Sequence, residues 1–421
     1  MDSVSSSTTS KTSKPPSVLG GACIIACICV GAGMLGLPSA GAGAWTIGAL
    51  FTLIVTMLVM ITSGCLLLEA LKAYPYKSSF SSITVALLGN KINLINNLMI
   101  YFVGGILLYA YITSSGLILF EYTGLNPKLA SILFVLAFSF PVWHSTRTVD
   151  RISIVLIVFM LLSFTFGIIG LWINIDFTTL IGGSSQVSNF KYIWALFPIA
   201  LTAFGYHHAV PTMRDYYRDE KLAQKAIIGG ALIALFIYSV WLISIYGNIA
   251  RDSFGPIIAQ GGNIDALLIN IQDSLAQENL SRIISAFSAA AILSSFIGVG
   301  LGVFDFLADV FKFETSQKGR TKTWAITFLP PLIFSLAFPF GFLTAIGYAA
   351  AAAAFWTCIV PALLVRKMRQ NQPSLENEQD EQLSYRVIGG DMVLITVSLF
   401  GLGIIVIHFL VTFDTLPQYS S

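Results

Sequence analysis

Long apolar runs recur along the chain, separated by short polar segments. They are continuous instead of alternating every second residue, which predicts membrane-crossing helices. A helix needs about 20 apolar residues to cross a hydrocarbon core of roughly 30 Å, whereas a barrel strand alternates over about ten. The runs predict eleven spans, over residues 17–43, 44–71, 92–120, 128–143, 149–173, 190–213, 223–249, 281–311, 323–339, 341–365 and 388–413. Because a bare backbone amide in lipid costs several kcal/mol, each span must close its own hydrogen bonds.

Composition agrees with this reading. Of 421 residues, 56% are apolar and 10% charged, where a soluble domain carries about 25% charged residues. The distribution of charge adds direction. If the polar tail 1–16, with Lys11 and Lys14, is cytoplasmic, the far side keeps only Lys128, Lys191, Arg251 and Arg282 of the 23 basic residues. Such a bias obeys the positive-inside rule and puts the C-terminus outside. No basic stripe with interleaved aromatics suggests nucleic acid.

Cys23, Cys27, Cys29, Cys65 and Cys358 lie within apolar spans, so no disulfide framework is expected, and Cys23, Cys27 and Cys29 have no matching His or carboxylate in the same span to complete a metal site. The apolar start followed by PSAGAGA could pass for a signal peptide, but the run is long and its glycines have a better explanation. Residues 252–278 form a longer outer loop, in which Ile264, Leu267, Leu268, Ile271 and Leu275 follow helical spacing and predict an amphipathic lid or cap. Residues 367–387 read as a cytoplasmic loop, polar and flexible over 371–382, before the last span, 388–413.

Two spans contain helix breakers at mid-depth. The first carries VGAGMLGLP, Val30 to Pro38, and the sixth AFGYHHAVP, Ala203 to Pro211. Glycine costs about 1 kcal/mol and proline about 3 in a helix interior, so both clusters predict local unwinding. Unwound backbone is tolerated in a membrane only where it lines a cavity. Spans one to five (17–173) and six to ten (190–366) make two halves of opposite topological sense, with the breaks at matching places. Paired interruptions in inverted halves point to a transporter's binding site. Amides freed over Gly31, Ala32, Gly33, Met34, Leu35 and Gly36 suit a carboxylate at the start of the half-helix that follows. Free carbonyls near Val30 and from Ala203 through Phe204 to Gly205 suit an ammonium group. The competing reading is close helix packing through small residues.

GAGMLGLP in helix one, YAYITSSG in helix three, FGYHHAVPT in helix six and FDFLAD in helix eight resemble the aromatic and hydroxy amino acid permease family. The resemblance spans nearly the whole chain. It implies an all-α integral membrane protein of the leucine-transporter (LeuT) fold, a 5+5 inverted repeat with broken helices 1 and 6 plus one extra C-terminal helix. It also implies a monomer in lipid, in a bacterial inner membrane, importing a small amino acid with a proton and needing no cofactor.

For the side-chain pocket the sequence offers Phe204, Tyr206 and His207 on helix six, and Tyr111 in preference to Tyr109 on helix three. Their aromatic faces favour tyrosine or tryptophan, with a serine or threonine symporter as the competing reading. His207 and His208 are the imidazoles placed to carry a coupling proton, with Glu69, Asp305 and Asp309 as alternatives. By resemblance, Ala291, Ser294 and Ser295 on helix eight would face the carbonyls of Cys27 and Val30 and could hold sodium instead. The mixed-sign run Met213 to Lys221 reads as a solvated helix end or a gating salt bridge. A channel would need charged rings or a repeated carbonyl filter. A membrane enzyme would need clustered ionisable groups, and His144 and His408 stand alone.

Overall fold

The computed structural model describes residues 17–181, 189–262, 264–274, 278–314, 316–338, 341–371 and 385–419. The expected tail 1–16, Leu275 and the polar loop from 372 to 384 lie outside them.

The first expected span is two helices, α1 (Val18–Cys29) and α2 (Leu37–Gly41), joined through a 3-10 turn, Ala32–Gly36. Their axes bend by 53°. Then come α3 (Trp45–Lys72), α4 (Phe80–Leu88), α5 (Asn90–Thr123), α6 (Pro127–His144), α7 (Thr146–Ile173) and α8 (Phe177–Ile181). The sixth expected span is also split, into α9 (Ile193–Ala203) and α10 (Val210–Tyr217). The rest follows as α11 (Glu220–Tyr246), α12 (Phe254–Ala259), α13 (Ile264–Ser274), α14 (Glu278–Val310), α15 (Gln317–Ala337), α16 (Phe342–Ala354), a π turn at Phe355–Ile359, α17 (Val360–Asn371) and α18 (Gly390–Thr412). Helix starts carry side-chain caps that close orphan amides: Ser145 accepts from the Thr148 amide and Asp219 from that of Leu222.

Among the described residues nine stretches are long and apolar enough to cross a membrane, and the bent α1–α2 pair makes a tenth. α15 carries Lys318, Arg320 and Lys322 in its first two turns and falls outside that set. The expected loop 367–387 starts later than anticipated, because α17 continues to Asn371. Phe80–Leu88, Phe177–Ile181 and Phe254–Ala259 are short helices that periodicity did not predict.

α1 packs along α11, α7 along α14, and α16 against α5. Small residues set the closest approach. A Cβ on Gly230 would come within 2.4 Å of Ile25 Cβ and 2.7 Å of the Ala22 carbonyl. In the loop between α12 and α13, Gly261 has φ +83° and a Cβ there would lie 2.5 Å from Gly341 Cα, while the Leu343 amide donates to the Gly261 carbonyl at 3.2 Å. Ile264, Leu267, Leu268 and Ile271 of α13 are buried, as their spacing anticipated.

Candidate functional site: two helix breaks that meet

In the first break, Val30 and Gly31 are extended, and Pro38 stands in the opening turn of α2. In the second, Phe204 to Tyr206 leave the helix, a 3-10 turn spans His207–Ala209, and Pro211 opens α10. Proline fits there because the first amides of a helix have no intrahelical partner. The breaks abut, since a Cβ on Gly33 would lie 3.9 Å from Ala203 Cα.

Three helices hold the junction. From α14, Ser295 Oγ accepts the Ala32 amide at 3.0 Å, and a Cβ on Gly31 would come within 2.7 Å of that oxygen. From α5, the Tyr111 hydroxyl faces Ser295, while Tyr109 turns away to donate to the Phe338 carbonyl at 2.7 Å. From α11, the buried Tyr238 hydroxyl lies 2.6 Å from the Cys29 carbonyl and 2.7 Å from that of Ala203. One phenol thus bridges the last carbonyl of α1 and the last of α9. The Ala203 carbonyl, expected bare, is therefore already an acceptor. The Phe204 carbonyl also accepts, from the Tyr206 amide at 3.0 Å.

The aromatic residues of the second break do not share one wall. Phe204 packs edge-on against Tyr238 at 5.2 Å. Tyr206 donates to the Met60 carbonyl of α3 at 2.8 Å and stacks on His207, whose ring meets Trp356 of the π turn edge-on at 6.3 Å. A sharp backbone turn spreads consecutive side chains over different directions, so the single pocket expected from Phe204, Tyr206 and His207 is split between α11 and α3. His207 is fully buried and neither ring nitrogen has a hydrogen-bond partner, a state that in a native site calls for an explanation. His208 is exposed.

Gly298 and Gly302 face open space, and with Ser294 and exposed Asp305 they form one face of α14 at helical spacing. That face is small and polar where a lipid-facing one is apolar. Ser294 Oγ donates within its own helix to the Ala291 carbonyl at 3.1 Å, and Ser295 is engaged by the break. Cys27 has an exposed side chain and Val30 is half-buried.

The two ends are latched differently. At the end where the described chain begins, Arg214 is buried, pairs with Glu220 at 2.9 Å, and donates to the carbonyls of Lys72, Tyr74 and Pro75. This corrects the reading of Met213 to Lys221 as a solvated helix end: Arg214 is 4% exposed because the α3 terminus offers it bare carbonyls. The Tyr217 hydroxyl donates to the Ser17 carbonyl at 2.7 Å, tying α10 to the start of α1. Nearby, both carboxylate oxygens of Glu69 are occupied by Arg369, at 2.9 Å each, and the Val387 amide donates to one of them at 2.7 Å. Asp309 pairs with Lys312 on the surface. At the other end Arg251 donates to the carbonyls of Ala42 and Gly43 and lies 4.5 Å from the Tyr419 ring centroid.

Sequence reasoning missed Tyr238, since a lone tyrosine in an apolar helix has no signature; for Arg214 it offered a salt bridge within Met213 to Lys221 as the second reading, and the buried pair with Glu220 favours that one.

The chain resembles known proteins along nearly its whole length. Residues 14–408 match the model of the tryptophan/tyrosine permease family. The chain is 42% identical to a tryptophan-specific transport protein of Haemophilus influenzae, over 92% of this chain and 94% of that one. It is also 42% identical to a tryptophan-specific transport protein of Pseudomonas aeruginosa, over 99% of this chain and all of the relative. Among solved structures, a manganese transporter of Eremococcus coleocola superposes with a TM-score of 0.56 at 12% identity, covering 98% of this chain and 91% of that one. At that identity the likeness speaks for the fold alone.

Proposed function

Since the chain belongs to the tryptophan/tyrosine permease family, a family of transporters and not of enzymes, we propose that this carrier of aromatic amino acids imports tryptophan in symport with a proton. The observation that carries the reading is the meeting of two interrupted helices at Gly33 and Ala203. Half-helices can tilt about such a junction while the flanking helices stay packed, which is alternating access around a fixed site. The amides that open the first 3-10 turn offer a carboxylate hydrogen bonds in the favourable direction of the peptide dipoles. Removing Ser295 Oγ from the Ala32 amide would free one more donor.

Tryptophan is favoured over tyrosine because both relatives described above carry that specificity in their names. His207 is our choice for the proton carrier. It is the buried imidazole at the junction without a partner, whereas Glu69 and Asp309 are engaged in ion pairs. The two halves 17–173 and 190–366 act as the inverted repeats. α15 supplies the eleventh crossing, in accord with Ser17 and Tyr419 at opposite ends of the first span. In this reading the membrane is a bacterial inner membrane, with Ser17 on the cytoplasmic side and Tyr419 outside, an orientation that the excess of basic residues supports.

Uptake of radiolabelled tryptophan into proteoliposomes, with proton and sodium gradients imposed separately, tests the proposal. A proton gradient alone should drive accumulation, and His207→Ala should abolish the response to it. Accumulation with sodium alone, or serine as the best competitor, refutes the coupling or the substrate respectively.

A further inference from the structure

A cavity of about 310 Å³ lies at the end of the bundle opposite Ser17, between α2, α9, α16 and α18. Its volume is at the lower end of the range for small-molecule sites, roughly 300–1,000 Å³. No residue of α5 or α14 lines it, whereas Tyr111 and Ser295 from those helices hold the junction of the breaks. It is a separate compartment.

Two of its lining groups have unspent hydrogen-bonding capacity. Ser39 Oγ and His408 Nε2 are buried, with their residues 1% and 5% exposed, and neither atom has a hydrogen-bond partner. Buried polar atoms are paired in native proteins, by protein, water or ligand. Tyr192 and Tyr419, ring centroids 5.7 Å apart at 84°, form an aromatic wall. Among the described residues no aspartate, glutamate, lysine or arginine lines the cavity; Arg251 lies behind the Tyr419 ring and is spent on the Ala42 and Gly43 carbonyls, so a zwitterion would lose its hydration without a direct charged partner.

We propose that this cavity binds an uncharged aromatic molecule bearing one hydroxyl or ring N–H, of the phenol or naphthol class, through His408 Nε2 and Ser39 Oγ. Aromatic walls with a few placed polar groups suit such a molecule and exclude the amino acid itself. Occupancy inhibits transport. The wall joins the outer halves of both broken helices, α2 and α9, and Arg251 already clips Tyr419 to the end of the first. A ligand here ties the two half-helices to α16 and α18, against which they must tilt.

The probe is radiolabelled 2-naphthol, equilibrated with the full-length protein in detergent with and without saturating tryptophan. Saturable binding that tryptophan does not displace is expected. His408→Leu and Ser39→Ala should each weaken it at least tenfold, and Tyr111→Phe should leave it within twofold. In proteoliposomes 2-naphthol should lower the maximal uptake rate without raising the tryptophan concentration for half-maximal uptake. The wild-type binding arm needs no variant, and its saturation does not depend on tryptophan being the cargo. Absence of saturable binding, displacement by tryptophan, or unchanged affinity in both cavity variants overturns the proposal. A thermal unfolding midpoint close to that of the wild type confirms that each variant is folded.

Discussion

Replacing Tyr238 by phenylalanine tests the junction most directly. The substitution keeps the ring that packs against Phe204 and removes only the hydroxyl lying within 2.7 Å of the Cys29 and Ala203 carbonyls. A buried neutral hydrogen bond contributes about 1 kcal/mol net, and an orphaned buried acceptor costs about 1–3. Measured values inside membranes are lower, about 0.6 on average and at most about 1.7, because the unfolded chain in lipid also finds partners. One proton serves two carbonyls here, so the loss should fall near the top of the membrane range, about 1–2 kcal/mol. It should appear chiefly as loss of register between α1 and α9. That magnitude corresponds to about a five- to thirty-fold rise in the tryptophan dissociation constant, since 1.4 kcal/mol is about tenfold. Equilibrium binding to purified protein measures it, with Tyr246→Phe as the control. The Tyr246 hydroxyl donates at 2.9 Å to the Pro38 carbonyl, away from the junction. Dissociation constants for Tyr238→Phe within twofold of wild type would refute the idea that this phenol sets the geometry of the site.

Other predictions follow from contacts elsewhere. Arg214→Ala removes a buried cation from Glu220 and three carbonyls, and should destabilise the protein by about 2–4 kcal/mol; a thermal midpoint unchanged from wild type would contradict this. Gly230→Ala forces a methyl against Ile25 and the Ala22 carbonyl and should cost about 1–3 kcal/mol, read as a lower midpoint, while Gly298→Ala, which meets open space, should leave the midpoint unchanged. A small membrane-permeant maleimide applied to the protein in detergent should modify Cys23 and Cys27, which are exposed at the surface of the bundle, before the buried Cys29, Cys65 and Cys358; peptide mass mapping that finds Cys29 labelled first would count against the arrangement. Gly31→Ala, whose methyl collides with Ser295 Oγ, should reduce uptake at least tenfold, and Gly33→Ala, which meets Ala203 at ordinary contact distance, should reduce it less; uptake assays on the two variants decide the order.

Much of this architecture could be read from the chain, because membrane burial writes itself as uninterrupted apolar runs. The two breaks were legible for the same reason: Gly31, Gly33 and Gly36 with Pro38, and Gly205 with Pro211, are residues a spanning helix otherwise avoids. The contacts that fasten the junction were not. Tyr238 differs from Tyr246 only in which carbonyls it meets, and that depends on how α11 rotates against α1. Arg214 looked like one charge in a mixed-sign run until the end of α3 supplied its acceptors. The π turn at Phe355–Ile359 lies in a stretch of ordinary helix formers, and one extra residue per turn leaves no mark in hydrophobic spacing. His207 was singled out for its position, but its stacking on Tyr206 and its edge contact with Trp356 required the fold.

The close approach of Gly261 and Gly341 has a mechanical consequence. Two backbones in contact, with the Leu343 amide bonded across them, leave no side chains to act as a cushion. The loop after α12 and the head of α16 should therefore swing as one lever, with the π turn as its elbow and Trp356 as the tip that touches the imidazole. Pairs of spin labels on α12 and α16 should keep a constant spacing through the transport cycle, while pairs on α12 and α9 should not. Pressure applied to the mouth of the carrier is then felt, through a stiff rod and not through solvent, at the residue we assign to the proton.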